Sequence, residues 1–347
     1  MQNSSYERFF MKRWLILLFA AFLISIISLN SSLTPSEEKA ILTMAASESQ
    51  DYIKYIDFTP TSVAMSDCLE LDIKRYGQSN HIDWITLLSL LASENYGSFA
   101  SYKTDRLNEL IKKIDENGID ACITNQKLYT YYQKAYRAVL GGMTGEYTKV
   151  ITDSDGKIEF EKGYGLRACS PIARGYYYVD YDDFGTSRSY GYKRSHLGHD
   201  MLGSIGTPIT AVESGYVEHL GWNMYGGWRI GIRSFDGQRY YYYAHLRANH
   251  PYANDMYEGK IVNAGEVIGY LGMTGYSRKE NTNGIDTPHL HYGLQIIFDK
   301  SQIEGANQIW IDMYELTKFL SKNRVEAFSL ENERYSRSYY LYDEAPD

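Results

Sequence analysis

The stretch Pro288-His-Leu-His-Tyr-Gly-Leu-Gln-Ile-Ile297 is the most informative part of this 347-residue chain. Apolar side chains recur at alternate positions, a pattern typical of a strand: Leu290, Tyr292, Leu294 and Ile296. Alternate residues of a strand point to the same face, so the imidazoles of His289 and His291 are expected to project together. A lone histidine is usually an ordinary surface or core residue, but two on one strand face suggest a shared task.

Two further histidine motifs lie upstream, at His196-Leu-Gly-His-Asp200 and Tyr243-Ala-His245-Leu246. Four of the eight histidines occupy motif positions, and His199 lies at a variable position of the first motif. Gly198 interrupts any helix and permits a bend that turns Asp200 back towards His196. Imidazole and carboxylate are good zinc ligands, and three protein ligands plus a water form a catalytic site. Metal-assisted hydrolysis is therefore the leading hypothesis.

The surrounding sequence predicts an all-β domain. From Ile151 onwards the pattern changes to strands, and Asp153-Ser-Asp-Gly156 and Asp236-Gly237 are typical hairpin turns. Recurrent glycines mark turns or bulges, and tyrosines are concentrated here, as in packed sheets. A closing helix is predicted over 309–323, followed by a loose tail rich in Tyr and acidic residues.

Seven short motifs of this region, in order, resemble those of the lysostaphin/LytM-type zinc endopeptidases, which cut peptide bonds in bacterial peptidoglycan. The motifs are Phe184-Gly-Thr-Ser-Arg188, His196-Leu-Gly-His-Asp200, Gly206-Thr-Pro-Ile-Thr-Ala211, Tyr243-Ala-His245-Leu246, Gly265-Glu-Val-Ile-Gly269, Gly272-Met-Thr-Gly275 and Pro288-His-Leu-His291. The resemblance covers roughly residues 184–298, about a third of the chain.

The resemblance implies a site with one zinc ion. His196, Asp200 and His291 would bind the metal, while His245 and His289 would act on the attacking water and on the oxyanion. Imidazole can accept and later donate a proton near neutral pH, which suits the second pair. Which of the two is the base stays open. One departure from the family is a longer link between Gly275 and Pro288, which leaves substrate preference open.

The N-terminal segment predicts a membrane anchor. Residues 14–29 (WLILLFAAFLISIISL) are uncharged and apolar, and Arg8, Lys12 and Arg13 precede them. A spanning helix needs about 20 residues, so this run is short but workable. The basic flank would stay in the cytoplasm and the bulk of the chain would lie outside the cytoplasmic membrane, in a single-pass topology. The alternative is a cleaved signal peptide and secretion.

Between anchor and β domain, the sequence predicts a small all-α domain. Helical stripes of apolar residues recur over 82–92, 107–114 and 125–140, and Asn117-Gly118 resembles a helix end. Glu94 at the end of the first stripe invites comparison with transglycosylases, but a helix-terminal Glu is usually only a solvated residue. The domain could serve as a spacer or could dock a regulatory protein.

Charge and cysteines limit the alternatives. The net charge is −8, and since residues 1–13 contribute +2, the remainder is near −10, which argues against nucleic-acid partners. The three cysteines form no disulfide framework or metal motif; at most Cys68 and Cys122 could pair.

Together these observations predict an α+β multidomain protein: a transmembrane helix, a small all-α domain and a C-terminal all-β lysostaphin-type peptidase domain. The expected segments are 1–13 cytoplasmic tail, 14–30 transmembrane signal anchor, 31–56 linker, 57–148 helical domain, 150–325 peptidase domain and 326–347 flexible tail. The hypothesis is a zinc endopeptidase that hydrolyses the peptidoglycan stem or cross-bridge at the outer face of the cytoplasmic membrane, in a Gram-positive-type wall. The alternative is a membrane-anchored scaffold or channel component of the sporulation type, which binds a partner protein; such versions tend to lose metal residues, and this chain has lost none.

Overall fold

The computed structural model describes residues 53–152, 157–190, 192–329, 335–337 and 339–342. Residues Thr43–Asp347 cluster into one compact unit, whereas the other unit, Met1–Leu42, lies outside the described residues. Within the larger unit, helices come first and antiparallel strands follow.

The predicted anchor over 14–30 lies outside the described residues. Across the described ranges, no helix is long and apolar enough to cross a membrane. A span needs about 20 mostly apolar residues, and the apolar run of this chain was already shorter than that. On this finding the predicted fold class and localisation are wrong: the described residues contain no transmembrane helix, and they form helices followed by an all-β domain.

The helical part contains α1 (Ser62–Arg75), α2 (Trp84–Glu94), α3 (Thr104–Asn117) and α4 (Gln126–Leu140). The last three confirm the helical stripes predicted from the sequence. Asp83 and Asn125 begin α2 and α4 by accepting backbone N–H bonds from residues three positions on. Gly118 follows α3 with φ +82°, as its C-cap pattern predicted. Cys68 and Cys122 are buried free thiols, so the predicted pairing is wrong.

The strands follow in chain order. The first seven are β1 (Thr144–Thr152), β2 (Ile158–Leu166), β3 (Tyr178–Asp180), β4 (Ser187–Tyr190), β5 (Tyr192–Ser195), β6 (His199–Gly203) and β7 (Pro208–Thr210). Next come β8 (Gly215–Asn223), β9 (Gly227–Ser234), β10 (Arg239–Ala244), β11 (Ile261–Val262), β12 (Val267–Tyr270), β13 (His289–Ile296) and β14 (Ile309–Trp310). Helix α5 (Tyr314–Leu320) precedes β15 (Ala327–Ser329), β16 (Tyr335–Arg337) and β17 (Tyr339–Tyr342).

The main sheet has eight antiparallel strands in the order β11-β8-β9-β10-β13-β6-β3, with β14 also paired to β13. The predicted Asp236-Gly237 turn joins β9 to β10, and Gly237 has the positive φ that such turns require. One face of the sheet packs into the core through fully buried side chains: Ile230, Ile232, Tyr241, Tyr243, Tyr292 and Leu294. The other face carries the histidine motifs.

Some element boundaries differ from the sequence expectation. Strand β1 begins at Thr144, inside the range expected to be helical, and pairs with β2 across the predicted hairpin. The closing helix is shorter than predicted, because Ile309 and Trp310 pair with β13 instead. Short strands also lie within the segment expected to be a tail. The domain boundaries themselves stay predictions.

A buried ion pair connects α4 with the main sheet. Arg239 is 1% exposed and donates to both carboxylate oxygens of Glu213, at 2.8 and 3.0 Å. It also donates to the Ala138 carbonyl oxygen of α4, at 3.0 Å, and Tyr241 donates its hydroxyl hydrogen to Glu213. Both carboxylate oxygens of Glu213 thus accept hydrogen bonds from buried groups. Removing one partner of the pair would leave the other partner buried with an unpaired charge.

We expect Glu213→Gln to lower the free energy of unfolding by about 3–5 kcal/mol, because it removes the buried carboxylate and leaves the guanidinium of Arg239 with only the half-exposed carboxylate of Asp236, at 2.7 Å. The control is Glu109→Gln, which removes an exposed carboxylate paired with the exposed Arg106 and is expected to cost about 1 kcal/mol or less. Urea denaturation of both variants measures the difference. Equal losses of unfolding free energy in the two variants would contradict the claim that burial makes the Glu213–Arg239 pair costly to break.

Candidate active site

Three side chains of the predicted site converge at the edge of β6 and β13. Nε2 of His196 lies 3.0 Å from Oδ1 of Asp200 and 3.0 Å from Nδ1 of His291, and that Nδ1 lies 2.9 Å from the same Oδ1. The β6–β13 register places Asp200 directly opposite His291, and His196 precedes β6 by three residues. Among the described residues, these are the three that could hold one metal ion.

Gly198 is needed at this site for space. A Cβ built on Gly198 would lie 2.5 Å from Cε1 of His291, closer than real side-chain contacts allow. The motif His196-Leu-Gly-His-Asp200 therefore needs glycine where His291 passes over the backbone. His199, at the variable position, points away from the site: it is buried and its Nε2 lies 2.9 Å from Asp180.

The electrostatics of the three side chains favour a cation. Burial would raise the pKa of Asp200, but hydrogen bonds from His196 and His291 outweigh it and hold the pKa well below its usual range. Burial likewise opposes protonation of His196, yet Asp200 and Asp183 raise its pKa on balance. Asp200 is thus an anion at neutral pH, and its oxygen faces two nitrogen atoms.

His245 and His289 lie beside this cluster with their Nδ1 atoms already engaged. Nδ1 of His245 is 2.8 Å from the Thr274 carbonyl oxygen, and Nδ1 of His289 is 2.8 Å from that of Thr287. A carbonyl can only accept, so each Nδ1 carries a hydrogen, and in the neutral form of either ring Nε2 holds the lone pair. The two rings meet edge to face, with centroids 4.8 Å apart.

His245 is held in an unusual backbone conformation. Its φ is +61°, in the left-handed region that costs a non-glycine residue about 1–2 kcal/mol. The backbone is fixed there by its N–H bond to the Gly226 carbonyl, at 2.7 Å, and by the next residue's bond to Trp228. Burial, followed by the neighbouring histidines, lowers the pKa of His245 well below its ordinary value, so the ring is neutral at neutral pH.

All five predicted residues line one cleft of about 840 Å³. The long link between Gly275 and Pro288 forms one wall of it, through Tyr276 and Ile285. Asn281 anchors this loop: its Oδ1 accepts hydrogen bonds from Nε1 of Trp228, at 2.9 Å, and from the backbone of Asn249, at 2.7 Å. The loop is therefore placed to touch whatever occupies the cleft.

Two contacts of the site were missed by sequence reasoning. Arg188 donates to Oδ2 of Asp200 at 3.2 Å and also pairs with Asp183. Asp183 in turn lies 3.0 Å from Nδ1 of His196. The Phe-Gly…Arg motif pointed to Arg188 without giving it a role, and Asp183 has no periodic relation to the histidines. Glu94 lies elsewhere and pairs with Arg106 at 2.6 Å.

The model of peptidase family M23 matches residues 194–304. The chain carries an M23 peptidase domain. The matched range contains all five predicted residues of the site, and the lysostaphin-type resemblance predicted from the motifs is confirmed.

The M23 domain has characterised relatives. The chain is 36% identical over 168 residues to the L-Ala–D-Glu endopeptidase of Bacillus subtilis (strain 168), which covers 48% of this chain and 47% of that protein. It is 38% identical over 98 residues to lysostaphin of Staphylococcus staphylolyticus, which covers 28% of this chain and 18% of that one. The chain thus spans about half the length of the first relative and less of the second.

Among solved structures, a crystal structure from Ruminococcus gnavus ATCC 29149, of a protein provisionally assigned as a glycyl-glycine endopeptidase, superposes with a TM-score of 0.49. That match has 21% sequence identity and covers 80% of this chain and 93% of the other.

Proposed function

We propose that the M23 domain is a zinc-dependent endopeptidase that hydrolyses a peptide bond of bacterial peptidoglycan. The observation that carries the proposal is the cluster of His196, Asp200 and His291, with the unligated His245 and His289 beside it in one cleft. The names of the relatives, an L-Ala–D-Glu endopeptidase and lysostaphin, support peptide-bond hydrolysis.

The donor set fits zinc. A tetrahedral zinc site with ligand distances of about 2.0–2.1 Å has ligand atoms about 3.3 Å apart. The three atoms of the cluster are 2.9–3.0 Å apart, so a small outward movement opens a pocket of the right size. Asp183 beside Nδ1 of His196 supports the ring as outer carboxylates do in zinc sites. When bound, zinc would acidify a water and polarise the scissile carbonyl.

His245 and His289 are proposed to move the proton. In its neutral form each ring holds its lone pair on Nε2, since the Nδ1 hydrogens are donated to the Thr274 and Thr287 carbonyls. A neutral imidazole can take a proton from the attacking water, and the imidazolium can then hydrogen-bond the oxyanion or protonate the leaving amine. Because the two rings are in contact, they cannot both be charged at low cost.

The experiment is digestion of purified peptidoglycan by the full chain. We expect release of peptides with new amino termini, about one zinc per chain, loss of the activity with a chelator and its return with Zn²⁺. A zinc-loaded chain that cuts no wall preparation, of any cross-bridge chemistry, yet binds a partner protein would favour the scaffold hypothesis. Whether the helices dock a regulatory protein stays a prediction.

A further inference from the structure

Arg229 lies on the cleft face of the main sheet, close to the histidine cluster. Its neighbour Ile230 is fully buried in the core, so the side chain of Arg229 points the other way, and it lines the cleft. On β10, Ala244 is opposite His291 of β13, and Tyr243 is opposite Ile230 of β9. Arg229, the residue before Ile230, is therefore beside Ala244, which separates it from His291. At about 4.8 Å per strand, its backbone is roughly 10 Å from that of His291.

The charge of Arg229 has no carboxylate beside it. In the part of the chain that the structure describes, no Asp or Glu oxygen lies within 4.0 Å of its guanidinium, and its Nε is buried without a hydrogen-bond acceptor. The next cleft arginine on the same strand, Arg233, is instead held by both oxygens of Glu218, at 2.5 and 2.9 Å. Leaving a half-buried guanidinium without an anionic partner costs free energy. We therefore expect a bound ligand to supply the carboxylate that the protein does not.

There is room beside Arg229 for such a ligand. Gly221 lies opposite it on β8, and a Cβ built there would meet nothing within 4 Å. On the other side, Ala244 adds only a methyl group. The side chain of Tyr242 lines the same cleft: its backbone is opposite Gly231, two residues from Arg229 on the same face of the sheet.

The other charges of the cleft do not cancel Arg229. Arg188 binds the carboxylate of Asp200. Arg194 lies over the rings of Tyr225 and Tyr276, at 4.9 and 5.3 Å. The remaining cleft carboxylates, Asp286 and Glu304, are exposed at the rim.

We propose that Arg229 is a specificity-determining residue that binds a free carboxylate of the substrate, one or two residues from the scissile bond. The inference rests on the proposed function and names its substrate class: a wall peptide with an acidic residue, such as a glutamate-containing stem peptide, rather than an uncharged glycine bridge. Both side chains stand out from the same face, so the guanidinium stays roughly 10 Å from the imidazole of His291. An extended peptide advances about 3.3 Å per residue, so a carboxylate on the side chain of a residue one or two positions from the scissile bond covers that offset. The guanidinium fork matches a carboxylate.

The test uses two synthetic stem peptides that differ only in one group, a free carboxylate or the corresponding carboxamide on the glutamate. Charge-assisted hydrogen bonds predict that the wild-type chain cleaves the carboxylate peptide about 10–100-fold more efficiently. Arg229→Gln should bring the ratio of kcat/KM values close to one, and Arg229→Lys should restore part of it. The control is His219→Gln, an exposed cleft residue on β8, which should keep the wild-type ratio.

The outcomes separate this inference from the proposed function. Equal cleavage of both peptides by the wild type, or an unchanged ratio in Arg229→Gln, overturns the role of Arg229. Cleavage of peptidoglycan without cleavage of either peptide overturns the acidic substrate class. An equal fall for both peptides in a folded Arg229→Gln chain shows a positioning role and also overturns the inference. Failure on peptidoglycan as well as on the peptides instead counts against the proposed function.

Discussion

Asp200→Ala is expected to abolish metal binding and hydrolysis together. The carboxylate is the anionic member of the cluster, with one oxygen within 3.0 Å of both imidazole nitrogens. Without it, only the two imidazoles would remain to hold a dication. Arg188 would also lose one of its two carboxylate partners, so its positive charge beside the site would be less well compensated. Zinc analysis of the purified variant and a peptidoglycan digestion measure the two losses.

The matched control is Asp180→Ala. Asp180 makes a similar contact, 2.9 Å from Nε2 of His199, but His199 is opposite Tyr292, on the face of the sheet away from Asp200. We expect that variant to keep about one zinc per chain, because it removes a histidine–carboxylate contact without removing a ligand. Full zinc occupancy in Asp200→Ala, or loss of zinc in Asp180→Ala, would refute the ligand assignment.

The convergence of the five site residues could be predicted because local rules govern most of it. The two-residue period of a strand places His289 and His291 on one face, and β13 has that geometry. The order of the motifs supplied the rest through resemblance to a known family. What the motifs did not predict was the reason for Gly198, which is the close passage of His291.

The partners of these residues could not be predicted, because they arise from non-local packing. The Thr274 and Thr287 carbonyls that orient the two outer histidines are backbone atoms, which leave no trace in residue identity. Arg229 reads as an ordinary strand residue until the sheet register places it two strands from His291.

Element ends were the other source of error. The helix predicted over 309–323 began only at Tyr314, because Ile309 and Trp310 had a strand edge to pair with. Apolar residues are compatible with both structures, and tertiary pairing decided between them. The membrane anchor was predicted from an apolar run shorter than the usual span. A run of that length is also typical of a buried core helix or of the apolar region of a signal peptide.

The second large effect separates the proposed metal ligands from the two histidines proposed to move the proton. His245→Ala and His289→Ala should each leave zinc bound while hydrolysis falls by about 10²–10⁴-fold, the range for losing a general acid/base or an oxyanion partner. His291→Ala should lose metal and activity together, although it is two residues from His289 on the same strand face. The measurements are zinc content and peptide release for all three variants.

The contrast between His289 and His291 is the decisive part of this prediction. Both rings are close to Asp200, but Nδ1 of His291 is 2.9 Å from Oδ1, whereas Nε2 of His289 is 3.8 Å from it. The closer nitrogen belongs to the group of three residues that could hold a metal ion, whereas the Nδ1 of His289 is already bound to a carbonyl. If His289→Ala lost zinc while His291→Ala kept it, the two roles would be exchanged. Loss of zinc in all three variants would mean that the imidazoles share the metal, and the proposed proton transfer would have no free base.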